Sequence, residues 1–149
     1  MNRPNLLKSC QYYVFLLVML LQVIQGCVTT KPSSVDPMGY KHRSKSSVSE
    51  EVDVTVAVLT ITEAEAIYGV KLASKGIQPV WLEIQNKGAE PYWLLPPGLD
   101  PEYFSPSEAA FASYRGNEKK IQQIKDKFQN LAFQNPIHPG KTVAGFVLV

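Results

Sequence analysis

Asp100 and Glu102 stand two residues apart in PPGLDPEYFSP. That spacing sets two carboxylates on one side of an extended backbone, as a general acid and base would need. Prolines at 96, 97 and 101 favour a solvated turn there instead. The two histidines, His42 and His138, lie far apart in the chain. His42 falls in a stretch with no apolar period, and His138 sits between Pro136 and Pro139, where an exposed turn is expected. A shared zinc site or a nucleophile–histidine–acid triad is not expected from that placement. The chain carries no G-x-S-x-G, phosphate loop, H-E-x-x-H or dinucleotide fingerprint. No catalytic residue, metal ligand or cofactor is assigned, and the expectation is a non-enzymatic protein.

Aromatic residues form the other concentration: Trp81, Tyr92, Trp93, Tyr103 and Phe104. Trp81 alternates with Glu83 and Gln85 on the polar side of its segment, and Tyr92 and Trp93 point to opposite faces of theirs. Exposed aromatics beside prolines suit a platform for a glycan or an extended peptide. Trp81, Trp93 and Tyr103 are therefore the candidate contacts with a ligand or partner. The competing reading, which the sequence favours, is a second small core made by helices packing on that face.

Positioning these residues falls to the rest of the chain. MNRPNLLKSC carries Arg3 and Lys8 and no acid, and Tyr12–Ile24 is apolar apart from Gln22. A helix spanning the roughly 30 Å hydrocarbon core needs about 20 apolar residues, so this run is short for a retained single-span anchor, which stays as an alternative. A basic start, a short apolar run and a small residue at its end fit a secretory signal. Ile24-Gln25-Gly26-Cys27 resembles the lipobox of bacterial lipoproteins, with Gln25 where that family usually has a small residue. The resemblance covers the first 27 or so residues. It implies cleavage between Gly26 and Cys27, diacylglycerol on the Cys27 thiol, and acylation of the new amine. Two or more acyl chains hold a protein stably on a membrane where one would not. Val28 after the cysteine implies, by the same resemblance, the outer membrane facing the periplasm if the cell is Gram-negative.

Of fifteen Lys and Arg and thirteen Asp and Glu, only Arg3 and Lys8 precede Cys27, so the remainder carries thirteen of each sign. The formal charge of +2 belongs to the N-terminus, and nucleic-acid binding, which needs a basic folded face, is not expected. After cleavage only Cys27 of the two cysteines remains, which excludes an internal disulfide.

Residues 27–49 are rich in Ser, Pro, Lys and Thr and read as a flexible tether, with Lys41–Lys45 as a small solvated basic cluster. Residues 50–149 read as one globular domain. Val52, Val54, Val56 and Val58 alternate with polar or small residues and predict a strand with one buried face. Thr62 and Glu65 have capping-box spacing and predict a helix over about 63–75, broken at Gly69 and stopped at Gly76. QPVWLEIQN predicts a strand, NKGAE a turn and PYWLL a returning strand, so that 80–95 forms a hairpin. Ser105, Pro106 and Glu108 predict a sharp helix start. Ile121, Ile124, Phe128 and Leu131 predict an amphipathic helix, and TVAGFVLV a final strand apolar on both faces.

The expected fold is mainly β with helical insertions, an α+β arrangement. The alternative is an immunoglobulin-like β-sandwich, incomplete at its C-terminus. The order GIQPVWLEIQN…PYWLLPPGLDPEYFSPSEAAF…LAFQNPIHPGKTVAGFVLV is similar to C-terminal domains of uncharacterised bacterial lipoproteins, a resemblance that implies no activity. The functional expectation is a lipid-anchored envelope protein, a periplasmic binding or assembly module. Its partners would be the membrane through Cys27 and an envelope protein or peptidoglycan. The alternative is an accessory subunit whose exposed apolar strand is completed by a protein partner.

Overall fold

Two alternating segments and one apolar run supply the centre of the sheet. In a computed structural model, which describes residues 38–149, they are β2 (Val52–Val58), β3 (Pro79–Asn86) and β4 (Thr142–Leu148). A fourth strand, β1 (Lys45–Val48), precedes them, and the four pair antiparallel in the order β1-β2-β3-β4. The helices are α1 (Ile61–Tyr68), the single turn α2 (Pro96–Leu99), α3 (Pro106–Ser113) and α4 (Glu118–Leu131). The fold is α+β around one antiparallel sheet. The described residues form no second sheet, so they do not build an immunoglobulin-like sandwich.

The register sets Ala57 beside Trp81 and Trp81 beside Phe146. Onto this row pack Tyr40, Tyr68, Leu72, Ile124 and Phe128, with Ala64, Ala109 and Ala110 small enough to let the helices approach. Tyr68 meets Phe128 and Phe146 ring-on-edge at 4.6 and 5.8 Å. The main core therefore lies on the Ala57 side of β2, not on the valine side that its alternation singled out. Ala57 is 3% exposed, whereas Val58 is 56% exposed and Val52, Val54 and Val56 are half-buried. The reason is tertiary. Trp81 and Phe146 carry more apolar area than the valines, and burial scales with that area.

The helices cover only one end of that face. Toward the other end it turns polar, with Ser46 and Thr55 hydroxyls 2.8 Å apart and Lys87 ion-paired to Asp53 at 2.7 Å. β4 is guarded along its outer edge. The Phe104 N–H donates to the Leu148 carbonyl and the Phe133 N–H to the Phe146 carbonyl, both at 2.9 Å. The 132–133 backbone lies so close over Gly145 that a Cβ there would stand 2.5 Å from the Phe133 Cα.

Several local expectations are moved. The folded unit starts before residue 50: Gly39–Arg43 forms a 3-10 turn and β1 follows, within the stretch read as tether. This segment is held by long-range contacts that composition does not encode. Tyr40 packs 5.6 Å from Trp81, Lys41 lies over the Trp81 ring, and Arg43 pairs with Glu63 at 2.6 Å. Lys41 and Arg43 of the basic cluster are thus engaged in the fold, while His42 and Lys45 are exposed. The capping box of α1 is Thr60 with Glu63, two residues earlier than expected, and Gly69 ends the helix with φ +74°. The expected 80–95 hairpin does not form. β3 pairs with β2 and β4, and Tyr92 instead bridges to Ile137. The capping box of Ser105 and Glu108 and the amphipathic α4 stand where expected.

Candidate functional site

The loop Pro91–Leu99 exposes large apolar side chains from a backbone pinned by hydrogen bonds. Its base is Asn86, the last residue of β3, whose side chain is fully buried. Asn86 Nδ2 donates to the Glu90 carbonyl at 2.7 Å and to the Ile137 carbonyl at 2.9 Å, while its Oδ1 accepts from Gly88 N–H at 2.9 Å. One amide thus ties the 88–90 turn to the 137–141 segment, which also bonds the Asn86 backbone through Lys141 and Gly140.

The next link is a two-way bridge. The Tyr92 N–H donates to the Ile137 carbonyl at 3.0 Å and the Ile137 N–H to the Tyr92 carbonyl at 2.8 Å. Asn135 then imitates a strand with its side chain. Its Oδ1 accepts from Leu94 N–H at 2.9 Å and its Nδ2 donates to the Leu94 carbonyl at 2.8 Å. The Tyr92 hydroxyl donates to Glu51 Oε2 at 2.8 Å, and this bond holds its pKa above the usual tyrosine range. Pro96 opens α2, where missing N–H groups leave nothing unsatisfied.

What this scaffold displays is Trp93 at 57%, Leu95 at 69% and Leu99 at 68% exposure. No charged residue lies between Glu90 and Asp100. Three large exposed apolar side chains within seven residues are more than the scattered single ones that need no explanation.

The expected contact residues fare differently. Trp93 is at the surface. Trp81 is not available to a ligand: it is 5% exposed and packs between Ala57 and Phe146 under the helices, in the main core rather than in a second small one. Tyr103 is half-buried, and burial followed by the Glu108 charge pushes its hydroxyl above its ordinary value. Gly26 and Cys27 lie outside the described residues. Asp100 and Glu102 make a turn, with Asp100 Oδ1 accepting from Glu102 N–H at 2.8 Å. His42 and His138 are exposed. Among the described residues no group of three or more His, Cys, Asp or Glu could hold a metal ion. Leu95, Leu99 and the two asparagines were not singled out from sequence. PYWLL reads as a strand from sequence, and the signal that could have found the loop is the uncharged, apolar run PYWLLPPGL with prolines at 91, 96 and 97.

The strongest electrostatic feature is structural. Glu63 is buried, and its Oε2 accepts from Arg43 Nη2, Thr60 N–H and Thr60 Oγ1 at 2.6, 2.8 and 2.9 Å. The Arg43 bond first, then the Thr60 bonds, hold the Glu63 carboxyl down at about 2. A carboxylate held this firmly caps α1 and is not free to move protons.

A second concavity, about 270 Å³, is lined by Tyr68, Tyr114, Lys120, Gln123 and Lys127 among others. Among the described residues neither lysine is ion-paired. Lys127 Nζ lies 3.6 Å from where a Cβ on Gly69 would stand, at the C-terminal end of α1. An ammonium there is favoured by the helix dipole without any ligand.

No protein family matches the chain, and no curated protein or solved structure does. No described helix is long and apolar enough to cross a membrane.

Proposed function

We propose that this chain is a lipid-anchored, non-enzymatic protein of the cell envelope, and that its folded unit is a binding or assembly module. The observation that carries the module reading is the Pro91–Leu99 loop, which presents Trp93, Leu95 and Leu99 from a hydrogen-bonded base. Exposing that much apolar area is unfavourable in water, and docking recovers it. Rigidity lowers the entropy lost on docking. The lipobox-like Ile24-Gln25-Gly26-Cys27 supports the anchor, with Cys27 as the acylated residue after cleavage at Gly26. A partner strand added to β4 is less favoured, because Phe104 and Phe133 already bond its outer edge.

The anchor is tested by mass spectrometry of the mature N-terminus from cells expressing the full chain. The expected species begins at Cys27 and carries two or three acyl chains. An unmodified Cys27, or an intact Met1, overturns the anchor.

A further inference from the structure

The folded unit begins closer to Cys27 than composition implied. The Gly39–Arg43 turn is packed into the core through Tyr40, so eleven residues, 28–38, separate it from the cysteine. Even fully extended they reach at most about 40 Å. A unit of this size has a radius of gyration of about 13 Å. An acylated Cys27 therefore holds the unit within about one molecular diameter of the bilayer surface. Any contact it makes with that surface is intramolecular in kind, and weak apolar contacts become populated at the high effective concentration of a short link.

The loop has the chemistry such a surface selects. Trp side chains favour the headgroup region of membranes, where the ring is buried and its N–H stays wet. Leu95 and Leu99 add aliphatic surface beside it. Entering an interface penalises unsatisfied backbone groups, and here many are already paired. Tyr92 is bonded at both its N–H and its carbonyl, and so is Leu94. Gly98 N–H donates to the Leu95 carbonyl, Asp100 N–H to the Pro96 carbonyl, and Pro96 and Pro97 have no N–H to lose. No Lys or Arg lies between Lys87 and Arg115, while Glu90, Asp100, Glu102 and Glu108 do. The loop itself thus carries no cation to bind anionic phosphate or a polyanionic glycan, and its apolar side chains suit a zwitterionic interface.

We propose that the Trp93–Leu99 loop docks into the headgroup region of the same phospholipid bilayer that the Cys27 acyl chains enter, laying the folded unit against the membrane. The inference rests on the lipid-anchor reading above. Docking is apolar, so it is independent of salt.

The chain's two tryptophans make the test direct, because Trp81 is buried and Trp93 is exposed. The full, acylated mature protein is reconstituted into phosphatidylcholine–phosphatidylethanolamine vesicles, and acrylamide quenching is read with excitation selective for tryptophan. The Trp93→Phe variant supplies the Trp81 contribution, and the unacylated protein without vesicles, whose Trp93 is 57% exposed, the exposed limit. Docking predicts that the Trp93 quenching constant falls at least about twofold below that limit, with a blue shift of its emission, as for an interfacial indole. Brominated acyl chains should quench Trp93 and leave Trp81 unaffected. The Leu95→Ser, Leu99→Ser double variant should lose the shielding while remaining acylated and vesicle-bound. Acylated, vesicle-bound protein whose Trp93 stays at the exposed limit overturns the docking and leaves the anchor standing. Shielding that appears only when peptidoglycan or an envelope protein is added also overturns it, in favour of that partner. Protein with no acyl group on Cys27 removes the tether and with it the proposal.

Discussion

Asn86→Ala tests whether one buried amide positions the exposed loop. The substitution leaves the β3 backbone bonds to Lys141 and Gly140 in place and removes three side-chain bonds, to Glu90, Ile137 and Gly88. A net bond of this type contributes about 0.5–1.5 kcal/mol, and a buried group left unpaired costs about 1–3 kcal/mol. The Ile137 carbonyl keeps its bond from Tyr92 N–H, and Gly88 and Glu90 lie near enough to the surface to recover water. Only part of the orphan penalty then applies, and the expected loss is about 3 kcal/mol. Asn86→Asp should cost at least as much. It keeps the acceptor for Gly88 N–H but sets a carboxylate oxygen against two carbonyls in a fully buried position. Urea unfolding followed by tryptophan fluorescence measures both. Acrylamide quenching of the folded variants should also rise, because Trp93 rides on the loop that Asn86 ties down. A loss below about 1 kcal/mol for Asn86→Ala, or Asn86→Asp tolerated better than Asn86→Ala, would refute the hub.

Two further perturbations follow from the same packing. The Glu63 carboxyl is held down at about 2, below its unfolded value, chiefly by Arg43. Its contribution to stability is full above about pH 5 and is lost as pH falls toward 2. The urea midpoint should drop across that window, and Glu63→Gln should flatten the drop; an unchanged pH profile in the variant would show that Glu63 is not its source. Gly145→Ala would bring a Cβ to 2.5 Å from the Phe133 Cα and 2.6 Å from its N, both backbone atoms. Overpacking against atoms that cannot swing away should cost about 2–3 kcal/mol, and a thermal midpoint within a degree of the parent would contradict that close approach.

How much of this was legible varies by element. α4 was legible because Ile121, Ile124, Phe128 and Leu131 repeat at helical spacing, and of these Ile124 and Phe128 are buried. The start of α3 was legible because Ser105, Pro106 and Glu108 act on each other locally. The start of α1 was not, since Thr60–Glu63 and Thr62–Glu65 have the same spacing. The choice falls to Thr60 because Glu63 is also reached by Arg43, twenty residues away. β1 was hidden for a related reason. Lys45–Val48 has no buried side chain and is held by backbone pairing to β2.

The site divides along the same line. Sequence alone determined that Pro91–Leu99 is apolar, proline-rich and uncharged, and that Ile24–Cys27 resembles a lipobox, because both are properties of neighbouring residues; it set Trp93 on a returning strand, which the structure replaces with a loop. Tertiary structure decided that Trp81, flanked by polar alternates, lies in the core while Trp93 faces out. It did so by placing the helix layer over the Ala57–Trp81–Phe146 row and by spending Asn86 and Asn135 on the loop's backbone. Side-chain alternation marks the two faces of a strand, but which face is covered depends on elements far away in the chain, and those contacts leave no local pattern.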